Sequence, residues 1–331
     1  MKHLPARRRL LQGAAAGLAA SWAGQALART ATDAAAASSG GTTGPALAPA
    51  PPAAGPLSAY AADGKIWVRA GEQAITCYRA DAAQKYPYFY PLIGPASGLP
   101  MTDETCLPWP HHRSIFLACD RVNGENYWQE GNDRGQIVSR GPVVAAESAQ
   151  TVVITDRCDW RRPGEPPVME DGRTFTVGML SPDALCIDAD ITLRALVDVR
   201  IEKTNHSLFA VRVARGLTPL AGGTLVNANG HQGEKETDGD VGPWCGCFGS
   251  RLGVTESIVL MDHPGNPWFP CRWSTRDYGF ISPTPFFWLD ERGWTLPAGK
   301  TAHLRYRVLA AAGPIEIDRM NRIHADWADK A

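Results

Sequence analysis

Two short stretches hold the side chains best suited to moving protons and holding anions. The first is His111-His112-Arg113, followed by an apolar run, Ser114 to Cys119, that ends at Asp120. The second is Asp262-His263-Pro264-Gly265-Asn266-Pro267. An imidazole takes up and releases protons near neutrality, and a neighbouring carboxylate can orient its ring. Arg113 offers a planar fork suited to a carboxylate or a vicinal diol. The stretches lie about 150 residues apart, a separation that folding closes at little entropic cost. The expectation is that they meet in space. Neighbouring residues of a strand face opposite ways, so only one of His111 and His112 is expected to face the pocket; on a turn both could.

Around these groups the chain supplies hydrogen-bonding residues interleaved with aromatics. Arg276 and Tyr278 follow in the segment Arg272 to Gly279, and Trp128 follows the turn at Asn123-Gly124. Tyr278 joins the two His stretches as a candidate proton carrier. Asp120, Asn123, Trp128, Trp244, Asn266 and Arg276 are the candidate substrate contacts. Trp244 sits beside Gly and Pro, as a sugar-stacking platform in a loop would. Asn123 precedes Gly124 and also reads as a turn residue. Glu130 is a further candidate acid or base. The sequence holds eleven tryptophans, and five of them, at 109, 128, 244, 268 and 273, fall near these motifs. Sugars present hydroxyls to polar groups and C–H faces to aromatic rings.

The elements that must position these groups read as β-structure. Lys65 to Arg69, Gln73 to Arg79, Thr151 to Thr155, Thr174 to Met179, Leu185 to Val199, Ser207 to Val213, Ser257 to Met261 and Ala302 to Leu309 alternate polar and apolar residues between Gly, Pro, Asp and Asn. The pattern predicts an all-β fold, a large antiparallel sandwich of jelly-roll or supersandwich type. Arg319 to Lys330 is the one helix-period segment after the N-terminus. Gly222 to Gly253 reads as a long irregular excursion whose run Glu234 to Asp240 is a solvated surface. No glycine-rich phosphate loop is present.

Residues 1–28 read as an export signal with a basic start, an apolar stretch and an Ala26-Leu27-Ala28 cleavage site. Arg7-Arg8-Arg9-Leu10-Leu11 resembles a twin-arginine signal, the alternative being an ordinary secretory signal. Residues 29–57 read as an Ala/Pro-rich disordered linker, and 58–331 as one sandwich domain. The expected location is the periplasm or the outside of the cell. A net charge of -1 gives no reason to expect a nucleic-acid partner, and no other stretch is apolar enough for stable membrane insertion. Eight cysteines in an exported chain allow disulfides. Cys77 with Cys106, or Cys271 with Cys245 or Cys247, are sensible pairs, with buried thiols as the alternative.

The segments YPYFYPLIGPASGLPMT, PHHRSIFLACDRVNGENYW, FAVRVA, DHPGNPWFPCRWSTRDYGFISPTPF and LRYRVLAAAG, in that order, resemble the bacterial family labelled "methane oxygenase PmoA-like". The resemblance covers nearly all of residues 59–313. It implies a soluble, exported β-sandwich in a carbohydrate-processing context. It carries recurring polar positions onto His111, His112, Arg113, Asp120, Asn123, Asp262, His263, Asn266 and Tyr278. The chain departs from the family pattern at Cys119 and at Pro108-Trp109-Pro110, where potential metal ligands are missing. The first reading is a carbohydrate-active hydrolase or lyase acting on a glycoside or oligosaccharide through His and Arg acid–base chemistry, without a cofactor. One alternative is a metal-dependent oxygenase or hydrolase in which His111 or His112, His263 and a carboxylate hold a divalent metal. The other is a carbohydrate-binding protein without catalysis.

Overall fold

The computed structural model describes residues 55–129 and 131–329, all within the compact unit Leu47–Ala331. The export-signal reading and Glu130 lie outside the described residues, as does the linker up to residue 54. Leu57, expected at the linker's end, is already buried in the first strand.

In chain order the described strands are β1 (Leu57–Ala62), β2 (Lys65–Ala70), β3 (Gln73–Arg79), β4 (Tyr88–Leu92), β5 (Ile115–Cys119), β6 (Gln136–Ser139) and β7 (Val143–Glu147). There follow β8 (Thr151–Arg161), β9 (Met169–Ser181), β10 (Ala184–Ala195), β11 (Val199–Ile201), β12 (Ser207–Arg212) and β13 (Thr224–Asn227). A single-turn helix α1 (Glu234–Thr237) precedes β14 (Trp244–Arg251), β15 (Val254–Asp262), β16 (Trp273–Arg276), β17 (Phe280–Pro283), β18 (Trp294–Leu296), β19 (Thr301–Ala312) and the C-terminal helix α2 (Ile317–Ala328). The fold is the expected all-β sandwich. The excursion at 222–253 is more regular than its composition suggests: it contains β13, α1 and β14. Its glycines at 246 and 249 pack closely against neighbouring backbone, so the apolar alternation that marks the other strands is missing there.

An eight-stranded sheet runs β1-β2-β3-β4-β5-β12-β17-β16 among the described residues. Facing it is a nine-stranded sheet, β13-β14-β15-β19-β10-β9-β8-β6, with β7 also paired to β8. The named pairs are antiparallel. Period-two burial along β8, β9, β10 and β19 turns one face inward. The sheets interlock through aromatic contacts. Phe175 of β9 meets Tyr78 and Phe89 at centroid distances of 5.2 and 4.9 Å, and Phe209 of β12 stacks on Tyr306 of β19 at 4.7 Å. Several polar groups inside this core are paired with one another. Tyr78 donates to Asp156 at 2.9 Å. Arg173 forms a two-pronged pair with Asp171 at 2.6 and 2.8 Å, and Trp160 Nε1 donates to the same carboxylate at 2.7 Å. A buried ion pair tolerates desolvation only when its geometry is this complete.

Helix α2 covers one end of the nine-stranded sheet's outer face. Met320 and Trp327 pack with Val226, Trp244, Met261 and Leu309 in a second apolar cluster. No helix among the described residues is long and apolar enough to cross a membrane. All eight cysteines are unpaired thiols, so the pairings considered from sequence are not formed. Burial pushes Cys77 up to about 11 and Cys186 up to about 12, which keeps these thiols protonated and unreactive.

Candidate functional site

A cavity of about 440 Å³ opens at one end of the eight-stranded sheet. Its wall includes Trp109, His111, His112, His206, Arg276 and Tyr278, together with Gln129, Asn205, Ser274 and Phe280. Three loops and one hairpin supply these groups. The turn before β5 carries Trp109 to His112 and closes with His112 N–H donating to Trp109 C=O at 3.1 Å. Because His111 and His112 lie on this turn and not on a strand, both face the same cavity. Tyr86 anchors the turn by donating its hydroxyl to the His111 carbonyl.

The segment after β5 forms the floor. Asn126 Oδ1 accepts the backbone N–H groups of Trp128 and Gln129 at 3.0 and 2.9 Å. Lys85, fully buried, donates to the carbonyls of Asn126, Gly131 and Gly135. An ammonium in that setting needs several acceptors to repay its lost hydration, and satisfying them fixes the loop. The hairpin between β16 and β17 brings Arg276 and Tyr278. It turns at Gly279, whose φ is 94°, and a Cβ there would come within 2.6 Å of Thr218 Cγ2, so glycine is required on both counts. Arg276 Nη1 pairs with Asp238 at 2.7 Å, and Glu234 and Asp277 exchange backbone–carboxylate hydrogen bonds at 2.8 and 3.1 Å. The acidic run expected to be a solvated surface thus clamps this hairpin.

The centre of the site is a residue the sequence reading passed over. His206 precedes β12, and its Nδ1 lies 3.0 Å from Asp120 Oδ2. A carboxylate only accepts, so Nδ1 carries a proton, and in the neutral ring Nε2 is the nitrogen with the lone pair. Thr204 donates its hydroxyl to Asp120 Oδ1, and the His206 N–H donates to Thr204 Oγ1 at 3.0 Å. Trp128 packs against the His206 ring at 5.3 Å. Asp120 therefore works behind His206 and does not line the cavity. Trp128 is wholly buried, so it supports the histidines and is not a substrate contact.

His112 has a different environment. It stacks on Phe280 at 4.4 Å and lies 6.2 Å from the Tyr278 ring. Burial, reinforced by His111, Arg212, His206 and Arg276, pushes its pKa down to about 2. It is a neutral ring, and its Nδ1 is buried without a hydrogen-bond partner. Such groups cost about 1–3 kcal/mol and call for an explanation. Burial also raises Tyr278, against the opposing influence of Arg212 and Arg276. Arg212, itself buried, lies 4.5 Å from the Tyr278 ring centroid.

The second sequence motif is elsewhere. No residue of 262–267 lines this cavity. Asp262 ends β15 in the opposite sheet, and its carbonyl accepts from His324 of α2 at 2.8 Å. His263 meets Trp327 edge to face at 4.9 Å. Asn266 is a staple, donating to Asp262 Oδ1 and to the Arg305 carbonyl and accepting from the Arg305 N–H. The expected meeting of the two stretches does not occur, because β15 pairs with β14 and β19 and not with β5. The ligand set of His111 or His112, His263 and a carboxylate is accordingly not assembled, and among the described residues no group of three or more His, Cys, Asp or Glu is placed to hold a metal ion.

Three further residues need correction. Arg113 turns to Gln84 and the Tyr88 ring and does not line the cavity; the cations there are Arg276 and, beneath Tyr278, Arg212. Asn123 is a turn residue, with φ 51° and its side chain bonded to the backbone of Asp198 and Arg200. Trp244 is buried in β14 and donates to Asn321 of α2 at 2.8 Å, so it offers no face to a sugar. Trp109, which is 44% exposed at the cavity rim, has the free face that Trp244 lacks.

Two solved structures were similar only at a low level. A structure described as "Putative kojibiose phosphorylase from human microbiome" gives a TM-score of 0.33 at 10% identity, over 77% of this chain and 32% of that one. A GalM/aldose epimerase homologue from C. elegans gives 0.32 at 8%, over 80% of this chain and 100% of that one. The chain thus spans about a third of the phosphorylase. Among curated proteins none matches the sequence. A family profile described as "Family of unknown function (DUF6807)" matches residues 65–325, and the chain belongs to that family.

Proposed function

We propose that the protein is an exported carbohydrate-active lyase whose general base is His206. The observation that carries this is the Asp120–His206 pair at a cavity whose described wall holds histidines, an arginine and a tyrosine but no carboxylate. Hydrolysis by paired carboxylates needs two such groups flanking the scissile bond. Elimination needs one base, one acid and a cation near the developing charge. In this reading His206 Nε2 removes the proton on the carbon next to a carboxylate or ketone of the sugar. The C–H electron pair becomes a C=C bond, the C–O bond at the neighbouring carbon breaks, and the leaving oxygen takes a proton from Tyr278, which burial holds in its phenol form. Arg212 beneath the Tyr278 ring balances the negative charge of the intermediate, and Trp109 supplies a stacking face at the rim.

The test is incubation with uronate-containing and 3-keto glycosides, following the absorbance of an unsaturated product. His206→Ala is expected to abolish the signal while Trp109→Ala raises KM. Unchanged turnover in His206→Ala would sink the assignment of the base. Sugar binding without turnover of any of these substrates would leave a binding protein in place of an enzyme.

A further inference from the structure

The outer face of the nine-stranded sheet holds a second concave surface, remote in the fold from the histidine loops. Two adjoining depressions of about 650 and 600 Å³ share Thr174 and Asp190 in their walls. Together they run across the strands from Val143 of β7 to Trp327 of α2. Strand register sets their floor in rows. Arg157, Gly172, Thr192 and His303 are aligned on β8, β9, β10 and β19, and the next row is Thr155, Thr174, Asp190 and Arg305. Gly172 opens the middle of the floor: its backbone is ordinary, and a Cβ there would meet nothing within 4 Å.

The charges of this surface are unevenly matched. Asp188 is held by both prongs of Arg307 at 2.5 and 2.7 Å, and Asp190 by His303 at 2.7 Å. Asp188 is therefore matched by a guanidinium within the wall, Asp190 is hydrogen-bonded to an imidazole, and Asp156, also in the wall, accepts from Tyr78 and Ser139. The guanidinium groups of Arg157 and Arg305 have no carboxylate partner among the described residues. They stand three strand spacings apart, about 14 Å across the sheet. On the two strands between them lie Thr174, Thr192 and Asp190, with Thr155 beside Arg157 on β8. Arg307 lies 5.2 Å from the Trp327 ring centroid, and the two close one end.

We propose that this groove binds a carboxylated oligosaccharide, at a site separate from the histidine cavity. Each free guanidinium is a fork for one carboxylate. The threonines match sugar hydroxyls, and the distance between the two cations demands a chain longer than a single sugar. The inference stands on its own and does not depend on the chemistry assigned to His206.

The test uses an oligogalacturonate as probe, its methyl-esterified form as the neutral control and a single-stranded oligonucleotide as a second polyanion, titrated into the mature protein. Wild type is expected to bind the acidic sugar, with the ester and the oligonucleotide at least tenfold weaker. Gly172→Tyr fills the floor from a position with open space, and Arg157→Gln with Arg305→Gln removes surface charge, so neither change disturbs the core. Both variants are expected to lose at least tenfold in affinity, while Trp109→Ala, altered at the other site, retains it. Absence of binding by wild type, equal binding of the oligonucleotide, or loss in Trp109→Ala with retention in Gly172→Tyr would each overturn the proposal.

Discussion

Asp262 offers the sharpest check on the placement of the second motif. Its side chain is 2% exposed, and it is set among Asn266, Cys271, Tyr306, His263 and the α2 residue His324. Desolvation raises its pKa to about 7 from an ordinary 3.8, against hydrogen bonds from Asn266 and the backbone of Cys271 and His263 that hold it down. A rise of about three units corresponds to about 4 kcal/mol between the two protonation states. The sign follows from linkage. Below the ordinary value both folded and unfolded chains hold the proton, and burial costs nothing extra. Between the two values only the unfolded chain ionises, so stability falls by about 1.4 kcal/mol per pH unit as pH rises. Above the folded value the full penalty is present. Asp262→Asn keeps the shape and cannot ionise. Urea unfolding of both proteins from about pH 4 to about pH 8 should therefore show the variant gaining about 4 kcal/mol relative to wild type across the series. Parallel curves would refute the burial argument. Turnover as low as that of His206→Ala would refute the placement of Asp262 outside the catalytic cavity.

Asp120→Asn leaves the cavity lining intact but removes the carboxylate that fixes the His206 tautomer. It is expected to lower kcat by about 10²-fold or more with little change in KM, read by steady-state kinetics alongside an unchanged circular dichroism spectrum. Asp171→Ala leaves the Arg173 guanidinium buried and unpaired and takes the acceptor from Trp160. A loss of about 3–5 kcal/mol in urea unfolding is expected, and a loss below about 1 kcal/mol would show that water or a rearranged neighbour replaces the pair.

The strands were legible because alternation reports burial directly. Gln73 to Arg79 matches β3 residue for residue, and α2 begins two residues before the expected helix. What alternation does not report is which sheet a strand joins. His112 leads into β5 and Asp262 ends β15, and both read as polar residues at the end of an apolar run. Only long-range pairing separates them: β5 bonds to β4 and β12, and β15 to β14 and β19. His206 carried the same local mark as His112, a histidine just ahead of an apolar strand, but it stood alone and without a flanking charge. Its partner Asp120 is 86 residues earlier in the chain, so the pair leaves no trace in local spacing. Trp244 was misleading for the opposite reason. Its Gly and Pro neighbours suggested a loop, whereas Trp244 begins β14 and its indole is buried against Asn321 of α2.

Three histidines share one cavity, yet their surroundings separate their roles. His112 cannot accept a proton near neutrality, because burial and the surrounding imidazoles and guanidiniums all disfavour its charged form. It is a neutral wall of the cavity. His206 has a ring nitrogen tied to the Asp120 carboxylate, and that carboxylate is itself held by Thr204. Tyr278 lines the same cavity with its proton retained by burial. In the proposed reaction His206, oriented by Asp120, is the base and Tyr278, which burial holds in its phenol form, is the acid. The Arg276 charge is already matched by Asp238, whereas two guanidinium nitrogens of Arg212 have no hydrogen-bond partner beneath Tyr278. A negative charge developing over Tyr278 therefore meets a net positive field, the electrostatic condition that elimination next to a carbonyl or carboxylate requires.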